Sequence, residues 1–163
     1  EFELNDTWLP ELIQLSKEEG SPWLAQELLS AKGIALVFEP HLQGTYLDGA
    51  AMLSESGNPV IGMTLRHDRM DNFWFVLAHE LGHIYKHIFG DSVSKSFVDE
   101  KVGAANAGND LEDEADFFAQ ELLISHDKWE RCFSRLMNTT VAVKGDAKRL
   151  GINPAIIAGR IQQ

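Results

Sequence analysis

The sequence predicts an α+β fold in which a small antiparallel sheet lies between two groups of helices. Three observations support this expectation. Segments with helical periodicity occupy both ends of the chain, and short apolar runs bounded by turn residues lie between them. With 163 residues, 44% of them hydrophobic, the chain is also long enough to bury a core of its own.

The N-terminal helices are expected over residues 8–15 and 23–31, with a break at the intervening Gly, Ser and Pro. Ser21 suits an N-cap and Pro22 suits the first helical position. We expect residues 1–32 to form a separate helical segment, either the remnant of a missing N-terminal domain or a linker to one. Residues 33–163 would then form the main domain.

The sheet is expected from three short apolar runs at residues 34–38, 46–53 and 60–65. Residues 55–59, with the sequence ESGNP, carry a strong turn signal between the second and third runs. These two runs should therefore form an antiparallel hairpin.

The longest apolar segment, residues 73–89, predicts a helix that Asp71 or Asn72 would cap and Gly90 would end. Residues 91–109 are polar and rich in small side chains, which indicates a loop. Further helices are expected over the following ranges: 110–124, 129–137, 141–150, and from Asn153–Pro154 to the C-terminus.

The charge balance is strongly acidic, with 25 Asp and Glu against 14 Lys and Arg and a net charge of -11. Because nucleic-acid phosphates repel such a surface, we expect no direct nucleic acid binding. No apolar stretch is long enough to span a bilayer, and the first residues lack a secretion signal. The lone Cys132 favours a reducing, cytoplasmic compartment and a packing role for its side chain.

The segment HELGH places His79 and His83 four residues apart on one face of the predicted helix, where two imidazoles can converge on one metal ion. Glu80 lies about 100° round the helix, at the flank of that face, from which it can act as a general base on water. Imidazole donors suit zinc, and a catalytic zinc needs a third protein ligand. Gly82 either admits close packing or is merely tolerated, and His87, about 12 Å beyond His79, should be exposed or outside the ligand set.

The third ligand is expected in the acidic stretch of the next helix. Glu112 and Asp116 fall on the same stripe as Ala115 and Ala119, where carboxylates need compensation, whereas Glu114 falls on the far side. Glu112 would then bind zinc, and Asp116 would accept the free N–H of a ligand histidine. Alternatively, the stripe begins at Ala115 and Glu112 lies in a solvated first turn.

The segments VLAHELGHIYKH and EDEADFFAQELLIS resemble the ImmA/IrrE family of metallopeptidases. The segment LDGAAMLSESGNPVIGMTLRHDRMDNFWF also resembles this family, especially the branch of the family that is linked to helix-turn-helix regulators and antitoxins. The closing segment AKRLGINPAIIAGRIQQ resembles the C-terminal end of family members. The likeness covers residues 33–163. Ile124–Ser125 stands where the family usually has Met-Pro.

The resemblance implies a zincin-like fold, zinc held by His79, His83 and Glu112, and Glu80 as the general base. It also implies a bacterial or phage-borne cytoplasmic peptidase that cleaves a protein substrate, such as a transcriptional repressor. Many family members carry an N-terminal helix-turn-helix. None is evident in this chain, as would be the case for a fragment.

Several roles stay open from the sequence. Tyr85, His67 and Arg66 are unranked candidates for stabilising the oxyanion, with core packing as the alternative for Tyr85. The strand at 46–53 or its hairpin partner could bind an extended substrate, whereas aromatic residues such as Trp74, Phe75 and Trp129 should belong to the core. The main alternative function is a catalytically quiet zinc-binding regulatory or antitoxin domain, and the second is a structural domain without metal.

Overall fold

The computed structural model describes residues 2–40, 48–64, 69–90 and 107–162. It confirms the α+β class. The strands are β1 Ala35–Glu39, β2 Gly49–Leu53 and β3 Pro59–Thr64. The helices are α1 Leu9–Gln14, α2 Ser21–Ala31, α3 Met70–Gly82, α4 Ala107–Leu123, α5 His126–Glu130, α6 Thr140–Leu150 and α7 Pro154–Gln162. Among the described residues, no helix combines the length and the apolar character that a membrane span requires.

The sheet has the strand order β1-β3-β2 and is mixed. β2 and β3 form the predicted antiparallel hairpin, in which Gly49 pairs with Met63. β1 runs parallel to β3, with Ala35 beside Val60, so the expectation of an antiparallel sheet is wrong for this pair. Burial in β3 alternates with a period of two, so one face of the sheet covers the core.

α3 is the central element of the core. It packs against α4, α7 and the sheet, and Trp74, Leu77 and Leu81 on it are fully buried. The N-terminal segment contributes to the same core through Leu12. It is also bonded to the C-terminal part of the chain, because the side-chain amide of Asn153 donates to the Ser16 carbonyl at 3.1 Å.

Two predicted helix starts are wrong by a few residues. Gly20, with a φ of 69°, is the N-cap of α2, and Ser21 is already helical. Arg69 precedes α3 in an extended conformation, and Asp71 lies in the first turn, where its Oδ1 accepts from Arg69 Nε at 3.1 Å. A carboxylate in the first turn is stabilised by the helix dipole without capping the helix itself.

The helix predicted over 129–137 is interrupted. α5 ends at Glu130, and Phe133–Arg135 forms a 3-10 turn. The buried Asp146 holds this turn, because it accepts from the Ser134 backbone at 2.8 Å and from the Ser134 hydroxyl at 2.7 Å. Burial alone would raise the pKa of Asp146, but the hydrogen bonds from Ser134 and Arg149 hold it below the ordinary 3.8.

Cys132 lies in the same region and has the packing role that the sequence predicts. Its side chain is buried, and its Sγ donates to the Lys128 carbonyl at 3.3 Å. Burial, followed by the charge of Asp146, raises the pKa of the thiol. A thiol kept protonated in this way is a poor nucleophile.

Candidate metal centre

The candidate site lies where α3 crosses α4 at very close range. A Cβ on Gly82 would lie 3.1 Å from the Cα of Ala115 and 3.2 Å from its carbonyl oxygen. Gly82 therefore allows the two backbones to approach, which supports the close-packing interpretation of this glycine. The histidines of HELGH thereby face the acidic side chains of α4.

Three electron-pair donors converge at this crossing. His79 Nε2 is 3.0 Å from His83 Nε2 and 3.1 Å from Glu112 Oε2, and His83 Nε2 is 3.6 Å from Glu112 Oε1. Zinc bonds of about 2.0–2.1 Å at tetrahedral angles separate neighbouring ligand atoms by about 3.3 Å. The spacing of the three groups therefore fits a single tetrahedral zinc ion.

The protonation of the two histidines is also compatible with binding of a metal ion. His79 Nδ1 lies 2.7 Å from Asp116 Oδ1, which can accept its N–H. The tautomer with a proton on Nδ1 directs the lone pair of Nε2 toward the other donors. Burial, followed by the charge of the neighbouring His79, lowers the pKa of His83 to about 4, so its imidazole is neutral near pH 7. Imidazole nitrogens together with a carboxylate suit a divalent transition-metal ion, zinc among them.

Glu112 reaches the cluster from a different environment than expected. Its side chain is 62% exposed, so the prediction that it lies on a buried stripe is wrong, and the solvated-turn alternative describes its surroundings better. Its carboxylate still reaches both imidazoles because of where α4 crosses α3. That Glu112, His79 and His83 are ligands stays a prediction.

His87 and Glu114 form an unexpected extension of the site. His87 is only 4% exposed, so the alternative in which it is exposed is wrong. Its Nδ1 lies 2.9 Å from His83 Nδ1, and its Nε2 lies 3.0 Å from Glu114 Oε2. Glu114 was expected on the far side of its helix, but its carboxylate faces this histidine.

The contact with Glu114 explains why this extension was missed. Residues His83–Ile88 form a π turn, in which Phe89 N–H donates to the Ile84 carbonyl at 3.0 Å. His83 and His87 are four residues apart, the same spacing as His79 and His83, so they lie on neighbouring turns of one face. That Glu114 meets His87 depends on how α4 packs against this turn, which no local pattern encodes.

Glu80 lies in a buried position beside the sheet. The residue is 5% exposed, and a Cβ on Gly49 would lie 2.8 Å from its Oε1 and 2.6 Å from Val76 Cγ1. A side chain at the start of β2 would require Glu80 or Val76 to shift, so glycine leaves room for this carboxylate. This role of Gly49 is not predictable from local sequence patterns, because the contact joins residues that are distant along the chain.

The remaining candidates for the chemistry are not at the cluster or are not described. The Tyr85 hydroxyl donates to the Asn5 carbonyl at 2.7 Å, and burial raises the pKa of Tyr85 to about 12, which favours the packing role. Arg66 and His67 lie outside the described residues. Trp74 belongs to the core, as predicted, whereas Phe75 is only partly buried.

A pocket next to the cluster accounts for the partial exposure of Phe75. The Phe75 ring lies 6.3 Å from the His79 ring and lines this pocket. Leu123, Ile156 and Arg160 line it further. The pocket is therefore one helical turn from the candidate ligands and combines apolar walls with a cationic group.

The comparison with known families agrees with the geometry. A peptidase family model, described as the IrrE N-terminal-like domain, matches residues 30–161. Because the match spans most of the chain, the chain belongs to this family. No curated protein matches the chain.

Proposed function

We propose that this member of the IrrE N-terminal-like family is a zinc-dependent metallopeptidase. His79, His83 and Glu112 would hold the zinc ion, and Glu80 would be the general base. The observation that carries this proposal is the convergence of three lone-pair donors within 4.8 Å of one another. Membership of a peptidase family supports the reaction class.

Each residue has a definite task in the proposed hydrolysis. A zinc ion bound here would supply Lewis acidity toward the scissile carbonyl. Glu80 takes a proton from the attacking water and passes it to the leaving amine. Asp116 accepts the Nδ1–H of His79, so that His79 presents its Nε2 lone pair and keeps its ring orientation.

The strand β2 is proposed to bind the substrate main chain. It is an outer strand of the described sheet, and it begins at Gly49, beside Glu80. An extended peptide added to this edge would pass the general base, and its backbone would be recognised by hydrogen bonds. An Asp48→Asn variant that loses peptidase activity while retaining zinc would support this placement.

The finer identity of the substrate is proposed from the family resemblance. A transcriptional repressor or another regulatory protein is the proposed target, in a bacterial cytoplasm and with a link to toxin–antitoxin regulation. We also propose that residues 1–32 are the remnant of an N-terminal domain or a linker to one, and that residues 33–163 carry the peptidase without contacting nucleic acid directly.

Metal content tests the ligand set. We expect one zinc per chain in the wild type by elemental analysis and much less in Glu112→Ala. Asp113→Ala is the matched control, because Asp113 is an exposed acid on the same helix turn. Equal zinc in both variants would move the third ligand elsewhere, and no zinc in the wild type after metal is supplied would refute the proposal.

Activity tests the general base separately. On a quenched-fluorescence peptide library, Glu80→Gln should abolish cleavage while its zinc content equals that of the wild type. Zinc binding with no cleavage by wild type or variant, on the library or on candidate repressors, would favour the catalytically quiet regulatory domain.

A further inference from the structure

We infer that His87 and Glu114 are positioning residues that fix the proton and the ring orientation of His83. This inference rests on the proposed function, because it concerns how His83 presents its lone pair to zinc. It goes beyond the ligand set, since neither residue reaches the three converging donor atoms.

The hydrogen-bond order follows from the chain of contacts. Glu114 can only accept, so the His87 Nε2 that lies 3.0 Å from it carries a proton. In a neutral His87 the other nitrogen, Nδ1, then has a lone pair. This lone pair accepts the Nδ1–H of His83 at 2.9 Å, which directs the lone pair of His83 Nε2 toward His79 and Glu112.

Burial makes this order specific. The His87 side chain is 1% exposed, whereas the Glu114 side chain is 63% exposed. An imidazole in so little solvent cannot exchange its partners for water, so its tautomer is set by Glu114. The two ligand histidines are therefore oriented differently: His79 directly by the Asp116 carboxylate, and His83 through a second imidazole that relays the effect of a carboxylate.

Substitutions at His87 separate positioning from space filling. His87→Asn places an amide oxygen near the Nδ1 position and so keeps a hydrogen-bond acceptor for His83. His87→Leu keeps a side chain of similar volume but removes the acceptor. Zinc affinity is measured by competition with a chromogenic chelator. Loss of an outer-shell partner typically weakens metal binding by about 10- to 100-fold, so we expect that loss in His87→Leu and near wild-type affinity in His87→Asn.

The charge of Glu114 is tested in the same assay. Glu114→Gln should weaken zinc binding, and Asp113→Asn, which removes the same charge one residue away, should not. Far-UV circular dichroism of the metal-free variants shows whether each one folds. Equal affinity of His87→Leu and wild type would overturn the inference, as would equal losses in His87→Leu and His87→Asn.

A spectroscopic measurement tests the proton order without zinc. Long-range ¹H–¹⁵N correlation spectra of the metal-free protein near pH 8 should show His87 protonated on Nε2 and His83 on Nδ1. The opposite tautomer at His87 would overturn the inference while leaving the proposed function intact. A wild type that binds no zinc would instead refute the proposed function and this inference together.

Discussion

Replacing Gly82 by alanine tests the close helix crossing that assembles the site. The added Cβ would lie 3.1 Å from Ala115 Cα and 3.3 Å from Phe118 Cβ. Carbon atoms normally pack at about 3.5–4.0 Å, so α3 and α4 must separate by roughly half an ångström. Because α4 carries Glu112 and Asp116, this separation moves both away from the histidines.

The net effect on stability is the difference of two opposing terms. Alanine in a helix is favoured over glycine by about 1 kcal/mol. Overpacking a close contact costs about 1–3 kcal/mol. We therefore expect Gly82→Ala to lower the free energy of unfolding by up to about 2 kcal/mol, and the displaced Asp116 and Glu112 to weaken zinc binding by about tenfold.

Gly145→Ala is the matched control, because a Cβ at this exposed position of α6 meets nothing within 4 Å. This variant should gain about 0.5–1 kcal/mol from helix propensity alone and bind zinc normally. Urea denaturation of both metal-free variants gives the stabilities, and chelator competition gives the affinities. A Gly82→Ala protein that is stabilised as much as Gly145→Ala, with unchanged zinc affinity, would refute the close-crossing explanation.

Three further predictions concern other parts of the structure. Gly49→Ala should displace the Glu80 carboxylate and lower kcat by about 10- to 100-fold with zinc content unchanged; an unaltered kcat would contradict the placement of this strand. Asp146→Ala should cost about 2–3 kcal/mol at pH 7 in urea denaturation. Since the fold holds the pKa of Asp146 below 3.8, its contribution is present above that pH and is lost as the pH falls below it. The difference in unfolding free energy between wild type and variant should therefore shrink in acid. A difference that does not change with pH would contradict a stabilising role for the ionised Asp146 carboxylate. Tyr85→Phe should lose about 1 kcal/mol, because its hydroxyl bonds to Asn5, and leave zinc binding intact; a large loss of zinc would contradict its packing role.

Local geometry explains why much of the site could be predicted. The spacing of His79 and His83 places them on one helix face, because the π turn that begins at His83 continues directly from α3. The position of Asp116, one turn after Glu112, follows from the same rule. The hairpin of β2 and β3 was predictable for a similar reason, because its turn residues lie directly between the strands.

Other features were mispredicted because they depend on distant residues. The parallel pairing of β1 with β3 depends on which strand β1 lies beside in the folded sheet, and the residues of a short strand do not show this. The turn that follows Glu130 is hydrogen-bonded to Asp146, a residue on another helix. The prediction that Glu112 lies near the histidines is right, but the reason given for it, burial of its helix face, is wrong. Its side chain is exposed and reaches the histidines because of where α4 crosses α3.

The sequence by itself determined the helical face that carries His79 and His83, the α+β class and the acidic helix that faces them. These features follow from short-range periodicity, which fixes the directions of side chains within one element. Only the tertiary structure decided how closely α3 approaches α4, that Glu114 faces His87 and that Gly49 makes room for Glu80. Such contacts join residues far apart in the chain, and their distances depend on the packing of whole elements, which no local pattern encodes.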